Sequence, residues 1–146
     1  MTPARFRVRR TLLCALAASA VGVLTPAGAQ DARTTLAQNA AREWLAQADA
    51  LDAAASWNSA GTRFRDAITT DAWSTALQQA RAPLGALEQR SMLSTQFADK
   101  LPDGPGGDFA FVLFRTSFAH KADSRETVTL EREADGAWRV IGYFIR

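Results

Sequence analysis

The sequence predicts an α+β fold, with N-terminal helices packed on a four-stranded antiparallel meander. Three observations predict it. Residues 34–85 are rich in Ala, Leu, Gln and Arg, with apolar positions recurring every three or four residues. Residues 90–146 alternate instead, with more Phe, Val and Thr. Asp135-Gly136, between two alternating runs, is a strong hairpin signal. Helices followed by strands, in that order, is the α+β pattern.

The first helix is expected from Thr34, a hydroxyl N-cap, with Leu36, Ala40, Trp44, Ala48, Leu51 and Ala55 as its apolar stripe. Trp57, Ala60, Gly61, Phe64 and Ile68 continue the periodicity, as a kinked extension or a separate helix. Thr69-Thr70-Asp71 reads as a stop and restart, a hydroxyl cap with a carboxylate in the first turn. A short helix then carries Trp73, Leu77 and Ala80, and Pro83 and Gly85 end it.

Four strands follow. The first, about Arg90 to Lys100, sets Leu93, Thr95 and Phe97 on one face and Ser94 and Gln96 on the other. Residues 101–108, LPDGPGGD, can only be a loop. Phe109 to Phe118 is apolar on both faces at first, which predicts a central strand covered on both sides. Glu126 to Glu133 alternates, and Trp138 to Ile145 closes the chain. A two-residue turn at Asp135-Gly136 would set Leu130 opposite Ile141 and Val128 opposite Tyr143.

The charge balance has a local origin. The 146 residues hold 17 Lys+Arg and 15 Asp+Glu, for a net charge of +2. Arg5, Arg7, Arg9 and Arg10 precede an apolar run from Thr11 to Leu24, and Ala27-Gly28-Ala29 follows Pro26. A basic start, an apolar middle and small residues at −3 and −1 of a cut form the pattern of a secretory signal peptide. The run is shorter than the roughly 20 residues that span a bilayer, so a cleaved signal is expected and no permanent span. Cys14 lies early in the run behind two leucines, unlike a lipid-modified cysteine. Cleavage after Ala29 removes four basic residues and no acid, which turns the balance from +2 to −2. The expected mature domain, residues 30–146, is a single thiol-free unit in the periplasm. It keeps no basic block with which to bind nucleic acid.

The residues also resemble a known family. Ala41-Arg-Glu-Trp-Leu45 with Asp49, Ser56-Trp57, Arg81-Ala-Pro-Leu-Gly85, Arg90, Thr116-Ser-Phe118, Glu126-Thr-Val128 and residues 135–145, DGAWRVIGYFI, carry the resemblance. It is to the bacterial family catalogued as domain of unknown function 4019, and it spans nearly all of residues 30–146. The resemblance implies export and carries over no catalytic residue. The order of elements also looks like the NTF2-like, or cystatin-like, cone, in which a curved sheet wraps a long helix and leaves a cup. That likeness does not select among isomerases, dehydratases and inactive binding modules.

Few residues recommend themselves for chemistry. His120, the sole histidine, falls in a polar connection beside Lys121 and Asp123, where a solvated hairpin tip is expected. One His and no Cys after residue 14 leave no expected zinc site, and no phosphate loop or nucleophile elbow occurs. No cofactor is expected.

Trp44, Trp57, Trp73 and Trp138 could line an apolar pocket, although core packing is their default. Asp49, Asp52, Asp66, Arg115, Glu126 and Tyr143 are the polar groups able to approach a cup. Trp44, Asp49, Trp57, Arg115, Glu126 and Tyr143 are therefore the ligand-pocket candidates. A cross-strand ion pair between Arg115 and Glu126 is the plain outcome for those two. Arg81 and Arg90 are expected to bind helix-end or loop carbonyls, or else an anion.

The functional expectation is a non-catalytic module for a small apolar ligand or an envelope protein, with a homodimer possible. The alternative is an acid–base isomerase or dehydratase with a carboxylate in an apolar cup.

Overall fold

The computed structural model describes residues 27–146. The basic start and apolar run of the expected signal peptide lie outside the described residues.

Four helices precede four strands. Helix α1 spans Ala27–Asp49, α2 Ala53–Ser59, α3 Thr62–Ala67 and α4 Thr70–Arg81, and a 3-10 turn at Ala82–Leu84 follows. Strands β1 (Leu87–Lys100), β2 (Gly106–Phe118), β3 (Lys121–Arg132) and β4 (Trp138–Ile145) pair antiparallel in the order β1-β2-β3-β4. The α+β class and the meander are as the periodicities predict.

Helix α1 begins before Thr34, and its buried face keeps Trp44 and Ala48 from the predicted stripe but not Leu36 or Ala40. Ala37, Ala41, Trp44, Leu45 and Ala48 are buried, while Leu36 is 57% exposed and Ala40 only half-buried. Ala37, Ala41 and Leu45, each one residue on from a predicted position, complete the buried stripe. Leu51, at φ 56°, ends the helix in the left-handed region. Asp52 restarts the chain by accepting from the Ala55 N–H at 2.9 Å, so the Trp57 segment is a separate helix. In α4, Thr69 caps the Ala72 N–H, and the buried positions are Trp73, Leu77 and Arg81, a run of i, i+4, i+8. Segments this short are not stable alone, and each buried Leu or Phe adds about 1.5–3 kcal/mol relative to exposure.

The sheet buries one face against the helices. Ala110, Val112, Phe114, Thr116 and Phe118 of β2 and Ser124, Glu126, Val128 and Leu130 of β3 are buried in strict alternation. On the other face Phe109 is fully buried, Phe111 and Leu113 are half-buried and Phe144 is 59% exposed, so β2 is central but covered on both sides only at its start. In β1 a bulge between Met92 and Ser94 puts Leu93 out of phase, 44% exposed, rather than beside Thr95 and Phe97.

The last hairpin carries two register changes that cancel. Glu133 pairs with Ala137 across Ala134-Asp135-Gly136, with Gly136 at φ 83°, so the turn has three residues rather than two. Leu130 therefore faces Val140, not Ile141. An irregularity after Leu130 leaves Ile141 as the extra residue, and Val128 again faces Tyr143 as predicted. Close by, the Val140 carbonyl accepts from the Gly61 N–H at 2.8 Å, which ties the start of α3 to the β4 edge. A Cβ at Gly61 would stand 3.0 Å from the Ile141 side chain.

Candidate functional site

Every long element except the N-terminal half of α1 sends a side chain to one place. Asp49 is the last residue of α1, and Arg81 ends α4. Arg90 comes from β1, Thr116 from β2, Glu126 from β3 and Tyr143 from β4. Arg81, Thr116 and Glu126 are buried.

Glu126 accepts four hydrogen bonds. Arg90 donates from Nε at 2.7 Å and from Nη2 at 3.1 Å, Tyr143 donates its hydroxyl at 2.6 Å, and Thr116 Oγ1 donates to the second oxygen. That fills the four lone-pair sites of a carboxylate. Asp49 accepts from Arg81 at 2.5 Å and from Arg90 at 2.7 and 2.8 Å. Arg81 also donates to the Tyr143 hydroxyl at 3.2 Å, and its guanidinium carbon lies 4.7 Å from the Phe118 ring centroid. Two guanidinium groups and two carboxylates thus form a neutral set. One donor, Arg81 Nε, is buried without a partner among the described residues.

The electrostatics follow the geometry. Burial alone would raise the Asp49 carboxyl, but hydrogen bonds and charge from Arg90 and Arg81 hold it below its usual value. Burial opposes the charge on Arg90, yet Asp49 and Glu126 push its pKa upward. Burial and the neighbouring Glu126 push the Tyr143 hydroxyl up, against the pull of Arg81.

Around this cluster the interior is filled by aromatic rings. Trp44 lies 5.7 Å from Trp73, 6.2 Å from Phe64 and 5.3 Å from Tyr143, centroid to centroid. The indole N–H of Trp44 donates to the Ser56 carbonyl at 2.9 Å and that of Trp73 to Ser56 Oγ at 2.9 Å. Trp57 Nε1 donates to the Ile68 carbonyl at 2.8 Å. These three donors are satisfied within the fold.

Of the six candidates, Asp49, Glu126, Tyr143 and Trp44 meet in this region, and Trp57 packs against the same core. Arg115 does not join them. It is exposed, stands opposite Arg125 in the register and pairs with Asp123 at 2.8 Å, so the expected Arg115–Glu126 pair does not form. Strand alternation separates the two, because Glu126 points to the helices and Arg115 to the other face.

Arg81 and Arg90 bind carboxylates rather than the expected carbonyls. Thr116 went unforeseen. A signal for two of these existed: Arg81 continues the Trp73, Leu77 stripe, and Thr116 sits in the apolar phase of β2. Arg90 had none, because the β1 bulges break its phase.

Asp52 and Asp66 are exposed. His120 is exposed at the β2–β3 tip, with Nδ1 3.3 Å from the Pro83 carbonyl oxygen. Among the described residues no three His, Cys, Asp or Glu side chains gather as metal ligands, and no helix is long and apolar enough to cross a membrane.

No curated protein and no solved structure matches the chain. A family model described as Protein of unknown function (DUF4019) matches residues 40–143, from the middle of α1 to Tyr143. That span holds every member of the buried cluster, and the chain belongs to the DUF4019 family.

Proposed function

We propose that this chain is an exported periplasmic module that binds rather than catalyses, and that it meets an envelope protein or a second copy of itself through its surface. The observation that carries this reading is the closure of the buried cluster. An acid–base isomerase or dehydratase needs a carboxylate with a free oxygen facing an apolar cup. Glu126 has all four acceptor positions filled by Arg90, Tyr143 and Thr116, and Asp49 is held by two arginines. The volume where a small apolar ligand would sit is taken by Trp44, Phe64, Trp73 and Tyr143.

The surface offers more. The sheet face away from the helices presents Phe111, Leu113 and Phe144, and Phe144 is 59% exposed. Apolar side chains grouped on an uncovered sheet face suit protein contact. Export rests on the four leading arginines, the apolar run and Ala27-Gly28-Ala29, with cleavage after Ala29.

The test uses the protein purified from the periplasm of its host, by intact and native mass spectrometry. The expected result is a chain that begins at Gln30 and travels as a dimer or with an envelope protein. Phe144→Ser should weaken that assembly and leave the urea midpoint of the dissociated chain unchanged. A precursor retained in the cytosol would overturn the export reading. A co-purifying small apolar molecule would overturn the surface-partner reading, and turnover of a ketosteroid-like substrate the non-catalytic one.

A further inference from the structure

A second arginine–aromatic arrangement lies at the other end of the body, away from the buried cluster. Arg33, in the N-terminal part of α1, places its guanidinium carbon 3.9 Å from the Phe97 ring centroid and 5.7 Å from that of Trp138. The two rings are 5.7 Å apart and inclined at 49°. Arg33 Nη2 donates to Asp108, which also faces Arg132 at 3.9 Å. The Nε of Arg33 is buried with no partner among the described residues.

Two clefts flank this side chain. One, of about 510 Å³, is lined by Phe97, Gly107, Asp108 and Arg132. The other, of about 450 Å³, is lined by Gln30, Leu36, Arg132 and Trp138. Arg33 and Arg132 line both.

Among the described residues little else holds that part of the helix. Residues 28–32 and Leu36 are exposed, and the first buried residue of α1 is Ala37. The next tie to the sheet is Gln38 Nε2 donating to Thr95 Oγ1 at 3.0 Å. A helix end with few buried contacts opens at low cost. Two aromatic faces with a carboxylate at the rim form the arrangement that receives a planar cation.

We propose that Phe97, Trp138 and Asp108 form a guanidinium-binding site that Arg33 occupies in cis, and that release of the start of α1 frees it for a guanidinium group from outside. The ligand class follows from the occupant. A planar fork can stack on Phe97 and donate to Asp108 at once, whereas an ammonium cannot stack in that way. The guanidinium can come from a free small molecule or from an arginine side chain of a polypeptide. This proposal stands apart from the sheet face that carries Phe144, and either can fail alone.

The test is Arg33→Ala in the full chain, titrated with ethylguanidinium and, at matched ionic strength, with ethylammonium, with Trp fluorescence as the readout. The expected result is saturable ethylguanidinium binding at least tenfold tighter than in the unaltered protein. It should be lost in the double variant Arg33→Ala, Asp108→Asn, with no comparable response to ethylammonium. Comparison of N-acetylarginine amide with an arginine-centred pentapeptide separates the sources, a tighter pentapeptide pointing to a polypeptide and equal affinity to a small molecule. Equal response to both cations, or none to either, would overturn the proposal.

A second measurement avoids any dependence on the variant's fold. In the unaltered protein the Arg33 side-chain N–H resonance should be ring-shifted, and Phe97→Leu should remove the shift. An unshifted resonance in the unaltered protein would also overturn the proposal.

Discussion

The buried cluster and the rim of the sheet use the same two chemistries, guanidinium and carboxylate, to different effect. In the interior, Arg90 grips Asp49 and Glu126 together, and Glu126 has no exposed surface. On the rim, Arg139 holds Asp135 at 2.7 Å and Glu133 at 2.7 Å, Arg63 holds Glu131 at 2.8 Å, and Arg115 holds Asp123 at 2.8 Å. The distances hardly differ. The surroundings do. A rim pair that breaks is rehydrated, so its loss costs little. A buried group that loses its partner keeps its charge where water cannot reach it, and that costs several kcal/mol. Position decides the worth of an ion pair here, and length does not.

The largest break should come from Glu126→Ala, which leaves Arg90 half unpaired and Thr116 and Tyr143 without their acceptor. Loss of one partner of a buried pair costs about 3–5 kcal/mol, and urea unfolding should show a loss of that size. Asp49→Asn should cost less, about 2 kcal/mol, the scale of hydrogen bonds to a charged group, because Asp49 lies nearer the surface, with 18% of its side chain exposed.

The Asp49 comparison also has a pH signature. Its carboxyl is held below the usual value when folded, so the stabilisation it gives is complete above the unfolded-state value, near 3.8. It is lost as the pH falls through the folded value. The gap between the unaltered protein and Asp49→Asn should therefore be constant near neutrality and close in strong acid, as followed by urea midpoints at a series of pH values. A gap that widened in acid would contradict the assignment.

Tyr143→Phe should cost about 1–2 kcal/mol, since it removes one donor from Glu126 and one acceptor from Arg81. Arg115→Ala on the rim should leave the urea midpoint unchanged within error. The Asp135 carboxyl sharpens the contrast. Arg139 and the Ala137 N–H hold it down at about 2 although it is exposed. Such a surface interaction is open to screening. One molar salt should therefore raise the Asp135 titration midpoint, seen by NMR, more than it changes the unfolding midpoint of the Asp49 cluster.

The fold was legible in the sequence wherever one periodicity governed an element. The alternation of β3 and of most of β2, the Thr69 cap and the site of the last hairpin at Asp135-Gly136 each acted locally, and each is found in place, although that turn is one residue longer than expected. Most of the misses were settled between elements. Leu93 and the phase of Arg90 depend on bulges, and the Leu130–Ile141 pairing failed because the turn holds three residues instead of two. Arg81 and Thr116 were legible in principle, as polar residues in an apolar phase. Arg90 and Arg33 were not, because nothing near them in sequence announces Asp49, Glu126, Phe97 or Trp138.

Ile141 shows what such an irregularity is for. Strict alternation would let β4 aim either Trp138 and Val140 or Tyr143 at the helices, but not both sets, since one is even-numbered and the other odd. The additional residue resets the count midway. One short strand therefore serves the ring against which Arg33 rests and the hydroxyl that Glu126 receives. Shortening the chain by that single position would force a choice between the two ends of the molecule.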